Sequence, residues 1–198
     1  MRVSIRWLIT ALVMGLFIGA GAQGAAVASS TDAGFTAQAR AAGLSTDKAA
    51  ALQAKVDDYL VKLQGRGKQV SPNQISMNGA VLNVTVPGEA RPRQLAQHSG
   101  AAPQATVCKD FSSWNPVPYG WFCAYQLQWG GGDSIGMYNC DNYFIPWVSE
   151  GSWMNNQTTG TVPRLYFRDL SWWDMPSAFS SQGYHVDWNP VNSITNCR

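Results

Sequence analysis

Sliding the second half of the chain against itself brings six pairs of residues into coincidence at a single offset of 41 positions. Tyr125 falls on Tyr166, Tyr138 on Phe179, Tyr143 on Tyr184, Trp147 on Trp188, Ser152 on Ser193 and Asn155 on Asn196. The pattern Trp-x4-Ser-x2-Asn therefore occurs twice, each time with a tyrosine four residues ahead of the tryptophan. A unit of about forty residues has room for four short strands and their turns, one Greek key. Two such units, each with an aromatic face that it cannot bury alone, predict a two-layer β-sandwich over residues 108–198.

Aromatic usage marks the same boundary. Eight of the nine tryptophans, six of the seven tyrosines and five of the seven phenylalanines lie after position 107, interleaved with turn-forming residues and with no helical run. Aromatic residues between closely spaced turn signals are the pattern of an all-β domain.

The first half reads differently. After Ser45, residues Leu52, Val56, Tyr59, Leu60 and Leu63 recur at helical spacing up to Gly65 and Gly67, which predicts one amphipathic helix. A shorter helix is expected over Phe35 to Ala42. Gln74 to Met77 and Val81 to Val86 are β-like runs around Asn78-Gly79, a strong hairpin signal. Residues 29–87 thus read as a helix-plus-hairpin leader unit, and 88–107, with Pro92, Pro103 and two glycines, as a linker. The expected fold class is α+β overall.

Residues 1–28 have the order of a secretory signal: Arg2 and Arg6, an apolar run from Trp7 to Ile18, then small residues, with cleavage expected after Ala28. The apolar run is too short to span a bilayer comfortably. A secreted, extracellular protein is expected, without membrane attachment after processing. Without Arg2 and Arg6, twelve Lys and Arg face twelve Asp and Glu, a neutrality that argues against nucleic acid as partner.

The four cysteines, Cys108, Cys123, Cys140 and Cys197, behind an export signal read as two disulfides. Three pairings are open. Proximity in the chain favours Cys108 with Cys123 and so Cys140 with Cys197, closures that contribute roughly 3 and 4 kcal/mol on chain-entropy grounds. No Cys-x-x-Cys pair occurs and the only histidines are His98 and His185, so no metal site is expected.

Tyr125-Gln126-Leu127-Gln128-Trp129-Gly130-Gly131 resembles the hairpin of βγ-crystallin Greek-key motifs, and Ser152 and Ser193 stand where that motif places the serine that ties the hairpin down. The second copy departs from it, with Trp173-Asp174 where a glycine is expected. Phe122-Cys123-Ala124-Tyr125, with the later Ser-Trp-x-Asn-Asn and Ser-Ile-x-Asn-Cys segments, is similar to secreted actinobacterial proteins of the metalloproteinase-inhibitor family of crystallin-like fold. The resemblance covers residues 108–198 and implies a peptidase inhibitor-like module, not an enzyme, whose partner is an extracellular protease.

The segment that would serve as the inhibitory loop is Trp114, Asn115, Pro116, Val117, Pro118 and Tyr119, closed by Cys108 and Cys123 if they pair. A preorganised loop loses little ordering entropy on binding. The alternative is a cell-wall polysaccharide, chitin-like, stacked on tryptophan. Of Trp129, Trp172 and Trp173, the first two occupy hairpin positions that are normally core, which leaves Trp173 as the candidate. A structural envelope protein is a third reading. No catalytic residues and no cofactor are expected: His185 aligns with Phe144 at a plain strand position, and Asp133, Asp141, Asp169, Asp174 and Asp187 read as solvated loop acids. Neither Trp147–Ser152 nor Trp188–Ser193 supplies the paired ligands of a crystallin calcium site.

Overall fold

A computed structural model describes residues 30–95, 108, 109, 111 and 117–198. The expected export signal, residues 96–107 of the expected linker (with His98), and Trp114, Asn115 and Pro116 lie outside the described residues. The described chain runs α1 (Ser30–Ala41), α2 (Thr46–Leu63), β1 (Lys68–Ser71), β2 (Gln74–Met77), β3 (Ala80–Asn83), β4 (Trp121–Tyr125), β5 (Ser134–Met137), β6 (Asn142–Phe144), β7 (Glu150–Asn156), β8 (Arg164–Phe167), β9 (Trp172–Asp174), β10 (Ser180–Asp187) and β11 (Val191–Thr195). It is an α+β fold with two antiparallel sheets.

Helix α2 begins where the Ser45 side chain accepts from the Lys48 amide, with Asp47 in the first turn and Lys62 in the last, charges that suit the helix dipole. It ends at Gln64, which adopts a left-handed φ of 51°. Leu52, Val56, Tyr59 and Leu63 are buried, as the spacing predicts, and each aliphatic side chain so buried contributes about 1.5–3 kcal/mol. Leu60 lies at the margin of this core.

Strands β2 and β3 form the expected hairpin, Met77 opposite Ala80, with Gly79 of the turn at φ 71°. Strand β1, unexpected from the sequence, pairs with β2. The larger correction concerns the boundary between the halves. Strand β3 pairs along its full length with β5, Leu82 opposite Ile135, so the hairpin joins the sheet of the aromatic half. One seven-stranded sheet results, in the order β1-β2-β3-β5-β4-β7-β10. The start of the expected linker is also packed: Leu95 is buried, the Ala90 carbonyl accepts from the Gly132 amide, and the Arg93 carbonyl from Asn73. Burial at all four β3 positions explains why the hairpin does not stand apart.

The second sheet has the order β6-β11-β8-β9. Strand β6, which lies between β5 and β7 in the chain, leaves their sheet to pair with β11, whereas β10, between β9 and β11, pairs with β7. Each sheet therefore contains one strand from the other's stretch of chain. Phe122, Trp153, Ile135 and Met137 of the larger sheet share one core with Leu165, Tyr143 and Ile194 of the smaller one and with the buried face of α2. Trp188 is fully buried there and donates its indole N–H to the Tyr125 carbonyl at 2.8 Å. A Cβ on Gly151 would stand 2.2 Å from that nitrogen, so glycine is required for this close approach.

Cys108 is bonded to Cys123 and Cys140 to Cys197. The first bridge forms, with Val117 and Tyr125, a small second core backed by Phe111, Trp121 and Met154. The second bridge joins the ends of the paired strands β6 and β11.

Candidate functional site

Of the segment expected as an inhibitory loop, Val117 is buried in the second core, and its carbonyl accepts from Asn156 Nδ2 at 2.6 Å. Pro118 and Tyr119 are exposed, and the Tyr119 ring lies 6.3 Å from Phe179.

Two sequence expectations about polar residues are corrected. Asp133 is not solvated. It is completely buried and accepts from Lys55 Nζ at 2.7 Å, the Thr85 amide at 2.7 Å, Thr85 Oγ1 at 2.6 Å, and the Tyr59 hydroxyl. A turn acid becomes a core acid because helix α2 brings two donors to it, Lys55 and Tyr59, and Thr85, just after β3, brings two more. The other four, Asp141, Asp169, Asp174 and Asp187, are exposed. His185 does not hold a plain strand position either: it sits at φ 55° in the irregular stretch of β10 between Gln182 and Val186, paired with Glu150. Among the described residues no three His, Cys, Asp or Glu side chains group as a metal site would require.

The tryptophans give the clearest surface chemistry. Trp129 and Trp172, expected in the core, are 53% and 54% exposed, and Trp173 is 43% exposed. The doublet Trp172-Trp173 lies on edge strand β9, where neighbouring side chains point to opposite faces. Trp173 stands opposite Leu165 on the core side, and Trp172 opposite Tyr166 on the outer side.

On that outer face Arg164 lies with its guanidinium carbon 3.6 Å from the centre of the Trp172 ring. Two hydrogen bonds, at 2.6 and 2.8 Å, hold the guanidinium to the Asp174 carboxylate and raise its pKa further. Arg198 adds a contact to the same carboxylate at 3.4 Å. The indole is thus seated on a fixed cation, with more than half of its surface open. Register continues the row: Trp172 faces Tyr166, Tyr166 faces Ser193, and Ser193 faces Phe144. With strands about 4.8 Å apart, these four residues span roughly 14 Å across the sheet. Beside them Asp174, Arg164, Thr195 and Asn142 form a parallel polar row. At its far end, Asn142 and Phe144 line a cleft of about 250 Å³ against Leu63, Arg66 and Asp141, and Arg66 lies 5.7 Å over the Phe144 ring.

No family model, curated protein or solved structure matches the chain.

Trp129 belongs to the opposite side of the molecule. Ser152 Oγ accepts from the Gly130 amide at 3.0 Å and donates to the Leu127 carbonyl at 2.9 Å, which folds the 127–130 turn over the larger sheet. Ser193 makes no such tie and bonds Asn142 instead. The turn from β8 to β9 is correspondingly short, closed by Phe167 N–H to the Ser171 carbonyl and by Asp169, whose carboxyl the Ser171 hydroxyl and amide hold below the usual carboxylate range.

The exposure of Trp172 had a sequence signal that family resemblance obscured. Two adjacent tryptophans in one strand cannot both enter a single core. Nothing comparable in the sequence marks Trp129.

Proposed function

We propose that this chain is an exported, non-catalytic binding module of βγ-crystallin-like architecture, which holds a polysaccharide across the outer face of its four-stranded sheet. The single observation that carries the reading is the Trp172 indole lying on Arg164, itself held by Asp174. A pyranose ring presents C–H groups on its faces and hydroxyls at its edge. An open indole with a fixed polar border meets both, and its fixed orientation limits the entropy lost on binding. The row that runs from exposed Trp172 over half-buried Tyr166 and buried Ser193 to half-buried Phe144 suits an extended polymer better than a small enclosed ligand.

Several features support the architecture. The two sheets exchange one strand each, and positions 41 apart fall on corresponding strands: Tyr125 and Tyr166 on β4 and β8, Tyr143 and Tyr184 on β6 and β10, Ser152 and Ser193 on β7 and β11. This is what a duplicated Greek-key unit requires, although β5 and β9 do not keep the offset. Two disulfides, and no helix among the described residues long and apolar enough to cross a membrane, are compatible with an extracellular protein.

Sedimentation of the oxidised protein with insoluble chitin, cellulose and peptidoglycan tests the function. Retention on one polymer, lost in Trp172→Ala without a change in melting temperature, is the expected result; wild-type protein left in solution with all three overturns it.

Protease inhibition is the second reading, favoured by the Cys108–Cys123 bridge behind the exposed Pro118 and Tyr119. A panel of secreted metallo- and serine proteases at micromolar inhibitor tests it, and uninhibited activity throughout removes it.

A further inference from the structure

We propose that the opposite face, around Trp129, is a second polysaccharide site, so that one chain bridges two polymer strands. The inference rests on the function proposed above but adds a site and an activity to it.

The placement follows from alternation along β7. Trp153 is buried between the sheets, so its neighbour Ser152 points outward, and the 127–130 turn it binds lies on the outer side of the larger sheet. Trp172 lies on the outer side of the smaller sheet, since its partner Tyr166 alternates with buried Leu165. The sheets meet through their inner faces, so the two indoles face away from each other.

The second site is as firmly seated as the first. Trp129 adopts φ 55°, a left-handed conformation uncommon for a residue with a side chain. Its ring lies on Gly183, where a Cβ would meet two ring carbons at 2.6 and 2.7 Å. Phe111 meets the indole edge-on with centroids 6.0 Å apart, and Tyr184 extends the plate at 5.4 Å and an interplanar angle of 32°. Trp129 nevertheless remains 53% and Tyr184 49% exposed. A large apolar ring fixed in the open is of no use to the core.

Polar groups border this plate. Gln128 donates to Glu150 at 2.8 Å, Glu150 also meets His185, and Gln182 donates to the Tyr184 carbonyl at 3.1 Å. A carboxylate, an imidazole and two carboxamides beside stacked rings match the hydroxyl edge of a sugar. None of these bordering groups is Lys or Arg, which favours a neutral glycan over an anionic polymer.

Titration of the full oxidised chain with soluble chitohexaose, and in parallel cellohexaose, tests the proposal, together with light scattering of suspended fibrils. Expected are two hexasaccharides per wild-type chain, one for Trp129→Ala and one for Trp172→Ala, with wild type bundling fibrils that either variant coats without bundling. A single wild-type site, abolished by Trp172→Ala and untouched by Trp129→Ala, overturns the second face and leaves the first standing. No binding by wild type in titration or sedimentation overturns the proposed function itself. If Trp129→Ala lowers the melting temperature, Tyr184→Ala, which removes an exposed ring, decides on the same readout.

Discussion

The hydroxyl of Tyr59, on helix α2, donates to the carboxylate of Asp133, which stands 74 positions further along the chain at the entry to β5. Lys55, one helical turn earlier, and Thr85 complete the set of donors. Through this carboxylate the helix layer is tied to the sheet of the aromatic half. Lys55 and Asp133 form a partly buried ion pair between the two halves.

Replacing Asp133 by Ala strands these donors in the interior. Each buried donor of Tyr59 and Thr85 left unpaired costs about 1–3 kcal/mol, and Asp133→Ala should lower the urea midpoint accordingly. Asp58→Ala, which affects only an exposed pair with Lys62, should stay within about 0.5 kcal/mol of wild type.

Alkaline pH should destabilise the fold through two tyrosines. Burial, reinforced by Asp133, pushes the Tyr59 hydroxyl pKa well above its ordinary value, and burial with Asp141 pushes that of Tyr143 up to about 12. The unfolded chain releases these protons from about pH 10, whereas the folded chain retains them. Stability from both groups is therefore complete below about pH 10 and declines above it. For Tyr143 the loss runs from its unfolded value to about 12. Urea midpoints measured in steps across this range should fall, and Tyr143→Phe should show a shallower fall than wild type.

Arg164 should matter to binding and little to stability. Its pair with Asp174 is at the surface, where ion pairs contribute about 0–1 kcal/mol. Arg164→Ala removes the support beneath Trp172, and we expect retention on the bound polysaccharide to weaken by roughly tenfold, ~1.4 kcal/mol. Unchanged affinity in Arg164→Ala, with Trp172→Ala inactive, would show that the indole needs no seat.

Ser152 and Ser193 occupy matching positions, yet their removal should differ. Ser152→Ala loses two hydrogen bonds to the folded-over turn, about 1 kcal/mol each with a buried amide left unpaired. Ser193→Ala loses its bond from Asn142, which still reaches Thr195, and should cost under about 1 kcal/mol. Thermal melts of the two variants give the comparison, and Trp129 fluorescence should respond only to the first.

Local features of this fold were legible in the sequence where one interaction range decided them. Helix α2 follows from the spacing of Leu52, Val56, Tyr59 and Leu63 and a Ser45 cap, and the β2–β3 turn from Asn78-Gly79, because cap and turn chemistry act within a few residues. The aromatic composition likewise marked a β-rich half. What could not be read was set by contacts distant in the chain. Nothing in Ala80 to Asn83 states that its free edge meets Ser134 to Met137, and nothing around Asp133 announces that a helix will bring Lys55 and Tyr59 to it. At the candidate site the tryptophans were visible as residues, but which face each takes depends on Gly183 and Arg164, which read in isolation as ordinary strand positions.

The β3–β5 pairing closes what would otherwise be a free sheet edge. An unoccupied rim of a sheet offers its amides and carbonyls to any passing strand. The hairpin of the first half shields β5 from such recruitment, so scission of the backbone between the halves would leave two fragments still joined by their shared ladder, whereas stripping the hairpin away would expose a template for self-association. The helix-and-hairpin stretch in this sense guards the aromatic half against polymerisation.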